Sequence, residues 1–414
     1  QSQNIDFEQL LKKGINEAEK SLDNTPNLLA VLKKAGVVDA GAQGFVDLLH
    51  GIFNFIKNGD LKSFRTDFKN QQIIVDIFNS EGDMEYSEFR YCTECIVNGE
   101  NIIHKDLRES LLTKGDSLVI AGSKKKAKVH IHVNHPAEIY TQCAEFGSVI
   151  GEKADDMWKQ QDTVHNHTSQ RVAIVTDSGA DIPDEIDLDI QVVPVRYNFG
   201  KIGYVDKISQ TPGEFYIELA SNSEHPKTSQ PTPGDFRRQY QYLQSHYKSI
   251  ISIHIPHVLS GTYQSALNAS KRITDSNISV MDGFSASVGL GLIAMKAAEL
   301  AKEGKNQEDI MGALPEIIKT TKIYLAIKDM SFIVKGGRLP KWVKNIADFL
   351  HIRPILKTKE DGTMGVAGVL KGTQNLSEKL AAFVSGKIDG DAAYTISIGH
   401  ANSPKDGEKL RELL

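Results

Sequence analysis

From residue 171 onward, short continuous apolar runs alternate with amphipathic stretches. "VAIVTDS", "SIISIHI" and "ISVMDG" are apolar runs closed by polar residues, as expected of strands buried on both faces. "IQVVPVRYNF" reads as a further strand. Between them, "GEFYIELAS", "PGDFRRQYQYLQ", "TYQSALNASKRI" and "ASVGLGLIAMKAAELAKEG" have helical spacing. This alternation predicts a mostly parallel sheet covered by helices. After residue 320 the pattern changes. "TKIYLAIK", "RPILKTK", "GTMGVAGVL" and "AYTISIGH" predict a second subdomain with antiparallel strands.

Upstream the periodicity differs. Residues 1–60 read as helical, with Leu10, Leu11, Ile15 and Ala18 on one face. Thr25-Pro26 gives a helix start and Gly36 a stop. Gly41 and Gly44 open a further helix, where they serve either close helix packing or an approaching phosphate. Residues 61–165 hold "QQIIVDIF", "RYCTECIVNG", "DSLVIAGS" and "AKVHIHVN", all strand-like, and the helical "PAEIYTQCAEFG". That is a small α+β unit, and "MWKQQDTVHNHTSQ" after it reads as a linker. The fold class is therefore multidomain α/β.

Composition narrows the partners. The 414 residues carry a net charge of −5, which argues against a nucleic-acid binder driven by phosphate attraction. No apolar run approaches the roughly 18 residues that span a bilayer. Cys92, Cys95 and Cys143 cannot make a disulfide framework, so a cytoplasmic location is expected. The sequence opens at Gln1 on a helical pattern and stops at "EKLRELL" inside another, as a fragment of a longer protein would.

Ligands of open α/β sheets sit beyond the carboxyl ends of the strands. Three stretches rich in small hydroxyl residues fall there. They are Thr176-Asp177-Ser178-Gly179, the segment from Thr228 to Pro233, and Ser260-Gly261-Thr262. Unpaired N–H groups at a helix start favour an anion, a hydroxyl adds a donor, and Gly261 admits a close approach. The alternative is plain helix capping; three such stretches in one unit favour the anion site. No P-loop or dinucleotide fingerprint is present, and no lysine-rich run precedes these loops, so the anion is expected to be a carboxylate. "GFSASVG" comes near a nucleophile elbow and keeps a serine hydrolase using Ser285 or Ser287 open. "SFIVKGGRLPKW" places Lys335 and Arg338 around a glycine pair, either a carboxylate or phosphate fork or a solvated turn. In the middle unit His130 and His132 lie two apart on a strand, so they share a face, with Cys92 on a neighbouring strand. Cysteine and histidine suit zinc, and two exposed histidines are the alternative.

"VAIVTDSGADIP", "KTSQPTPGDF", "SGTYQSA", "MDGFSASVGLG" and "SFIVKGGRLPK" together resemble the DegV family, whose members bind fatty acids and present them to a kinase. The resemblance covers residues 171–414 and implies a two-subdomain DegV fold. It assigns the fatty-acid carboxylate to Thr228 and Ser260 and gives Arg338 a part in the kinase step or docking; Gly261, Thr262 and Ser178, from the hydroxyl-rich loops read above, complete the expected lipid-binding set. The family's C-terminal T-H-x-G-P-G motif is not in this sequence, and His400 does not inherit its role, so the carboxylate site is expected to be incomplete.

The earlier part resembles the kinase partner. "LKKAGVVDAGAQGFVDLL" is similar to the closing helices of a dihydroxyacetone-kinase-like nucleotide-binding domain, over residues 1–60. "RYCTECIV" and "GDSLVIAGSKKKAKVHIHVNHP" are similar to that kinase's middle domain, over residues 61–165. This implies a zinc ion on Cys92, His130 and His132, and gives Cys95 no ligand role. The acidic Mg-ATP motif of the kinase is missing, which leaves Asp39 and Gly41 as a remnant of the nucleotide site. The implied activity of the intact protein is ATP-dependent phosphorylation of a long-chain fatty acid, with Mg-ATP bound only by an intact kinase domain and this chain inactive by itself. A non-catalytic lipid carrier is the alternative. A homodimer and transient contact with a membrane surface fit the same reading.

Overall fold

The computed structural model describes residues 7–28, 32–33, 38–58, 87–159, 161, 172–183, 185–274, 276–337, 340–372, 374–390 and 392–414. Two compact units result, residues 1–85 and 86–414. The expected strand "QQIIVDIF" and most of the expected linker lie outside the described residues.

In the first unit, α1 (Phe7–Asp23) is followed by the short α2 (Thr25–Leu28) and by α3 (Ala40–Asn58). Ile15 and Leu22 of α1 and Val46 of α3 are buried. Asp39 caps α3, its carboxylate accepting the Ala42 N–H at 2.7 Å, while the Asp39 N–H donates to Thr25 Oγ1 at 2.9 Å.

The second unit opens with an antiparallel sheet in the order β2-β3-β1-β4. Its strands are β1 (Tyr91–Asn98), β2 (Asp116–Ser123), β3 (Lys126–Val133) and β4 (Ser148–Asp156). Helices α4 (His104–Leu111) and α5 (Pro136–Ala144) connect them. Alternation along β3 buries Ala127, Val129, Ile131 and Val133 and turns His130 and His132 to the opposite face. Cys95 and Cys143 belong to this core.

Next comes a parallel sheet, β11-β10-β5-β6, made of β5 (Val172–Asp177), β6 (Ile190–Val193), β10 (Ser249–His254) and β11 (Ile278–Asp282). Every residue of β5 and β10 is buried, which is why both read as unbroken apolar runs. One face is covered by α7 (Pro233–Gln244) and α8 (Thr262–Ser270), through Phe236, Tyr240 and Ala266. The other is covered by α9 (Ser287–Lys302) and α10 (Gln307–Thr320), through Leu290, Ala294 and Leu314.

"IQVVPVRYNF" is two strands rather than one. The chain breaks at Pro194, which has no N–H for a ladder. Beyond it, β7 (Arg196–Phe199) enters a separate antiparallel sheet, β8-β7-β9, with β8 (Ile202–Val205) and β9 (Lys227–Ser229). Helix α6 (Pro212–Ser221) closes this layer over Tyr197, Phe199 and Phe215. The β7-β8-β9 layer also packs on the middle domain, where Val205 is part of the middle domain's own apolar core. A β-carbon at Gly203 would fall 2.0 Å from Glu152 Oε1, so the close approach of β8 to β4 requires glycine there. Arg196 donates to the Glu152 carbonyl at 2.8 Å and grips Asp235 with both terminal nitrogens, at 2.8 and 3.1 Å.

The last part contains β12 (Leu325–Ala326), α11 (Ser331–Lys335), α12 (Lys341–Phe349), β13 (Ile352–Thr358), β14 (Met364–Lys371), α13 (Leu376–Ser385) and α14 (Pro404–Leu413). Strands β12, β13 and β14 form the expected antiparallel sheet. "TKIYLAIK" contributes only Leu325 and Ala326 to it, and "AYTISIGH" is not a strand. Tyr394 and Ile396 of that stretch are exposed and no neighbouring strand pairs with it among the described residues.

The Arg196–Asp235 pair carries a pH dependence. Burial would raise the Asp235 carboxyl, but the Arg196 guanidinium and the Thr232 N–H and hydroxyl outweigh it and hold that carboxyl well below the usual range. A depressed folded-state value means that the stabilisation is complete above the unfolded value of about 3.9 and is lost as pH falls below it. Denaturant midpoints measured from neutral pH down to acid should therefore fall less steeply for Asp235→Asn than for wild type. At neutral pH, Arg196→Ala should cost about 2–3 kcal/mol, because it removes a two-pronged charged partner of a mostly buried carboxylate and leaves it only the half-exposed Arg238.

Candidate functional site

Two clusters of chemistry stand out: a loop edge at the parallel sheet and a cysteine–histidine group on the middle sheet.

The loop edge is organised by Asp177, fully buried at the end of β5. Its carboxylate accepts from the Gly179 N–H at 2.9 Å, from His254 Nδ1 at 2.9 Å and from the Ile255 N–H at 3.1 Å. His254 Nε2 accepts from the Ser252 hydroxyl at 2.6 Å, and that oxygen accepts from Tyr240 at 2.8 Å. The loops after β5 and β10 are thereby held to each other. The chain Asp177, His254, Ser252 has the order of a hydrolytic triad, but all three are completely buried, so no substrate reaches the serine.

Ser178 is buried; its hydroxyl accepts from the Val195 N–H at 3.0 Å and also bonds the Asp206 carboxyl. Burial raises that carboxyl above the usual range, against the lowering effect of Ser178. Thr228 lies on β9 opposite Tyr197 with its side chain exposed. The Ser260 and Thr262 hydroxyls bond each other at 2.8 Å, and Ser260 Oγ accepts from the Thr262 N–H at 3.3 Å. The expected close approach at Gly261 is made by a side chain of this protein: a β-carbon there would fall 2.0 Å from Gln230 Oε1. Gln230 Nε2 continues to Ser265 Oγ at 3.1 Å. The Thr228 and Ser260 stretches thus meet, with Gln230 as the bridge. Thr232 also caps α7 with Asp235, as its sequence pattern indicates.

The other expected residues fall elsewhere. Arg338 lies outside the described residues. Asp39 is a helix cap, and Gly44 has no neighbouring atom within 4 Å of a built β-carbon, so close packing does not explain it. Ser285 is buried, and its hydroxyl has no partner. Ser287 donates to Asp181 at 2.6 Å. Among the described residues neither serine bonds a histidine.

A cavity of about 1520 Å3 lies between the helices α9 and α10 and the last subdomain. Leu219, Leu292, Ile317, Leu380 and Ile398 are among its walls. Its lining includes His225 and Pro226, just before Thr228, but not Thr228 or Ser260.

On the middle sheet, cross-strand pairing places Cys92 opposite His132 and Glu94 opposite His130. One donor atom from each of Cys92, His130 and His132 lies within 4.8 Å of the other two, and all three residues are half-buried. Carboxylates reach both rings: Glu94 lies 3.2 Å from His130 Nδ1 and Asp116 lies 3.1 Å from His132 Nδ1. Burial, and then Asp155, push the Cys92 thiol up. Cys95 turns away into the core.

A sequence profile described as "Uncharacterised protein, DegV family" matches residues 171–414, more than half of the chain, and the chain belongs to that family. A profile of the FakA-like middle domain of fatty acid kinase matches residues 88–164, and one of the DAK2 domain matches residues 1–54, so three modules are joined in one polypeptide. A DegV domain-containing protein of Staphylococcus aureus is 34% identical over 243 residues, 58% of this chain and 86% of its own length. One of Clostridium perfringens is 35% identical over 209 residues, 50% of this chain and 74% of its own. The solved structure of DegV from Bacillus subtilis, described as a fatty acid binding protein, aligns with a TM-score of 0.54 and 29% identity, over 59% of this chain and 87% of that one. No helix of the described residues is long and apolar enough to cross a membrane.

Gln230→Leu should detach the Thr228 stretch from α8 while leaving the fold intact. Amide hydrogen exchange at residues 227–231 should speed up, with a stability loss of about 1 kcal/mol. Unchanged exchange there would show that the bridge does not hold the loop.

Proposed function

We propose that the DegV part of this chain binds a long-chain fatty acid, with the carboxylate at the Thr228–Ser260 loop edge and the alkyl chain in the cavity. The cavity carries this reading: an apolar space of about 1520 Å3 between two subdomains suits an extended hydrocarbon, and its lining runs up to the segment that enters Thr228. The relative from Bacillus subtilis described as fatty acid binding supports it. Each buried methylene would contribute about 0.8 kcal/mol, so the tail supplies affinity and the hydroxyls supply orientation.

The attached modules extend the reading to a phosphotransferase with a carboxyl acceptor. In the intact protein a carboxylate oxygen would take the γ-phosphoryl group of ATP: a P–O bond to the carboxylate forms, the P–O bond to ADP breaks, and an acyl phosphate and ADP leave. The DAK2 and kinase-like middle-domain matches support this step. Mg-ATP would supply the phosphoryl group and the charge neutralisation.

Zinc belongs to the same proposal. Tetrahedral zinc requires donors about 3.3–3.8 Å apart, which modest rotamer changes of Cys92, His130 and His132 would reach. A thiolate with two imidazoles suits that ion, and Glu94 and Asp116 would orient the rings.

Calorimetry with palmitate and methyl palmitate tests the lipid reading. Wild type should bind the acid more tightly, and Ser260→Ala or Thr228→Ala should weaken acid binding roughly ten- to a hundredfold. Equal binding of acid and ester, unaffected by either substitution, would leave the loop edge as a set of helix caps. For the metal, protein prepared without chelator should carry one zinc per chain, and Cys92→Ser should lose it and melt at a lower temperature. Metal-free wild-type protein of unchanged stability would sink that part.

A further inference from the structure

Two aspartate–histidine pairs stand at the carboxyl edge of the parallel sheet. In the first, Asp177 and His254, both side chains are fully buried and every ring nitrogen is engaged. The second is built differently. Asp282, at the end of β11, is buried, and one of its oxygens accepts from both the His257 N–H at 2.9 Å and His257 Nδ1 at 2.7 Å. Its other oxygen accepts from the Phe284 N–H at 2.8 Å. The His257 side chain nonetheless remains 54% exposed. Its ring is flanked by Phe284 and by Tyr263, the second residue of α8, with centroids 6.5 and 6.4 Å away. Among the described residues nothing bonds its Nε2.

Position adds to this. The Leu259 and Ser260 N–H groups both donate to the Pro256 carbonyl, so one hydrogen-bonded turn carries His257 and Ser260 together. We propose that His257, oriented by Asp282, is a third arm of the carboxylate site and the residue that distinguishes a free acid from its ester. The inference rests on the fatty-acid reading given above. Asp282 holds Nδ1 as a donor, and nothing among the described residues bonds Nε2, which leaves that position to a ligand. Thr228 and Ser260 offer neutral hydroxyls, which serve an ester carbonyl nearly as well as a carboxylate. A fatty acid that binds with its proton passed to Nε2 gains a charge-assisted N–H bond to its carboxylate, which an ester has no proton and no charge to form.

Calorimetry at one fixed pH with palmitate and methyl palmitate, on wild type, His257→Leu and His257→Gln, tests the role. In His257→Leu the acid should bind roughly ten- to a hundredfold more weakly and the ester unchanged, so that the preference for acid collapses. His257→Gln, which keeps a neutral donor, should fall between the two. Full acid preference in His257→Leu, or an equal loss for acid and ester, overturns the role of His257 and leaves the lipid site standing. Wild type that binds neither ligand overturns the lipid reading and this inference with it, and wild type that binds both equally overturns the carboxylate site and the role of His257 while leaving a lipid cavity.

Discussion

The buried Asp177 carboxylate is the constraint on which the carboxyl edge of the sheet depends. Three donors converge on it from two loops that are remote in sequence. A carboxylate removed from water is tolerable only when its lone pairs are met, so the geometry is enforced by the penalty for leaving any of them open. The consequence is positional. The loop after β10 starts from a fixed Ile255, and the turn that follows delivers His257 and Ser260 to the surface. Asp282 repeats the device one strand further on, where it grips the same loop from the other side.

Arg196 does comparable work between modules. It pairs across β7 and β9 with Ser229, beside Thr228, while its guanidinium holds Asp235, the capping partner of Thr232. A third bond reaches the Glu152 carbonyl on β4. One side chain therefore ties both ends of the Thr228–Asp235 segment to the middle domain. Strand β4 in turn pairs with β1, which carries Cys92. The two clusters of chemistry are thus joined by hydrogen-bonded strands and a mostly buried ion pair.

Much of this was legible in the sequence where one physical cause dominates. Strands β5 and β10 are buried on both faces, so apolar continuity alone reveals them. His130 and His132 share a face because strand periodicity demands it, and Thr232-Pro233 announces a helix start through capping chemistry. The rest depends on register and long-range pairing, which spacing does not encode. Glu94 and Asp116 reach the histidine rings only because β1 and β2 both pair with β3 in a particular register. Pro194 was a readable break, hidden by the apolar residues on either side. His254 and His257 passed as parts of an apolar strand and a polar loop, since their partners Asp177 and Asp282 lie 77 and 25 residues away.

Gly261 shows how far a motif can be taken. Sequence logic gives the glycine of Ser260-Gly261-Thr262 to an incoming ligand, and the space is indeed there. In the folded chain the Gln230 amide occupies it, and the residues that make the motif look like an anion cradle also satisfy one another. A ligand carboxylate at this edge must therefore compete with internal hydrogen bonds at Ser260 and Thr262. Thr228 and the outer nitrogen of His257 face solvent and carry no such cost. Affinity for a headgroup would then come first from these two, with Ser260 joining when its bond to Thr262 is exchanged for one to the ligand. Such an exchange would replace a neutral hydroxyl partner by a charged one, so Ser260 would help to hold a headgroup as well as orient it.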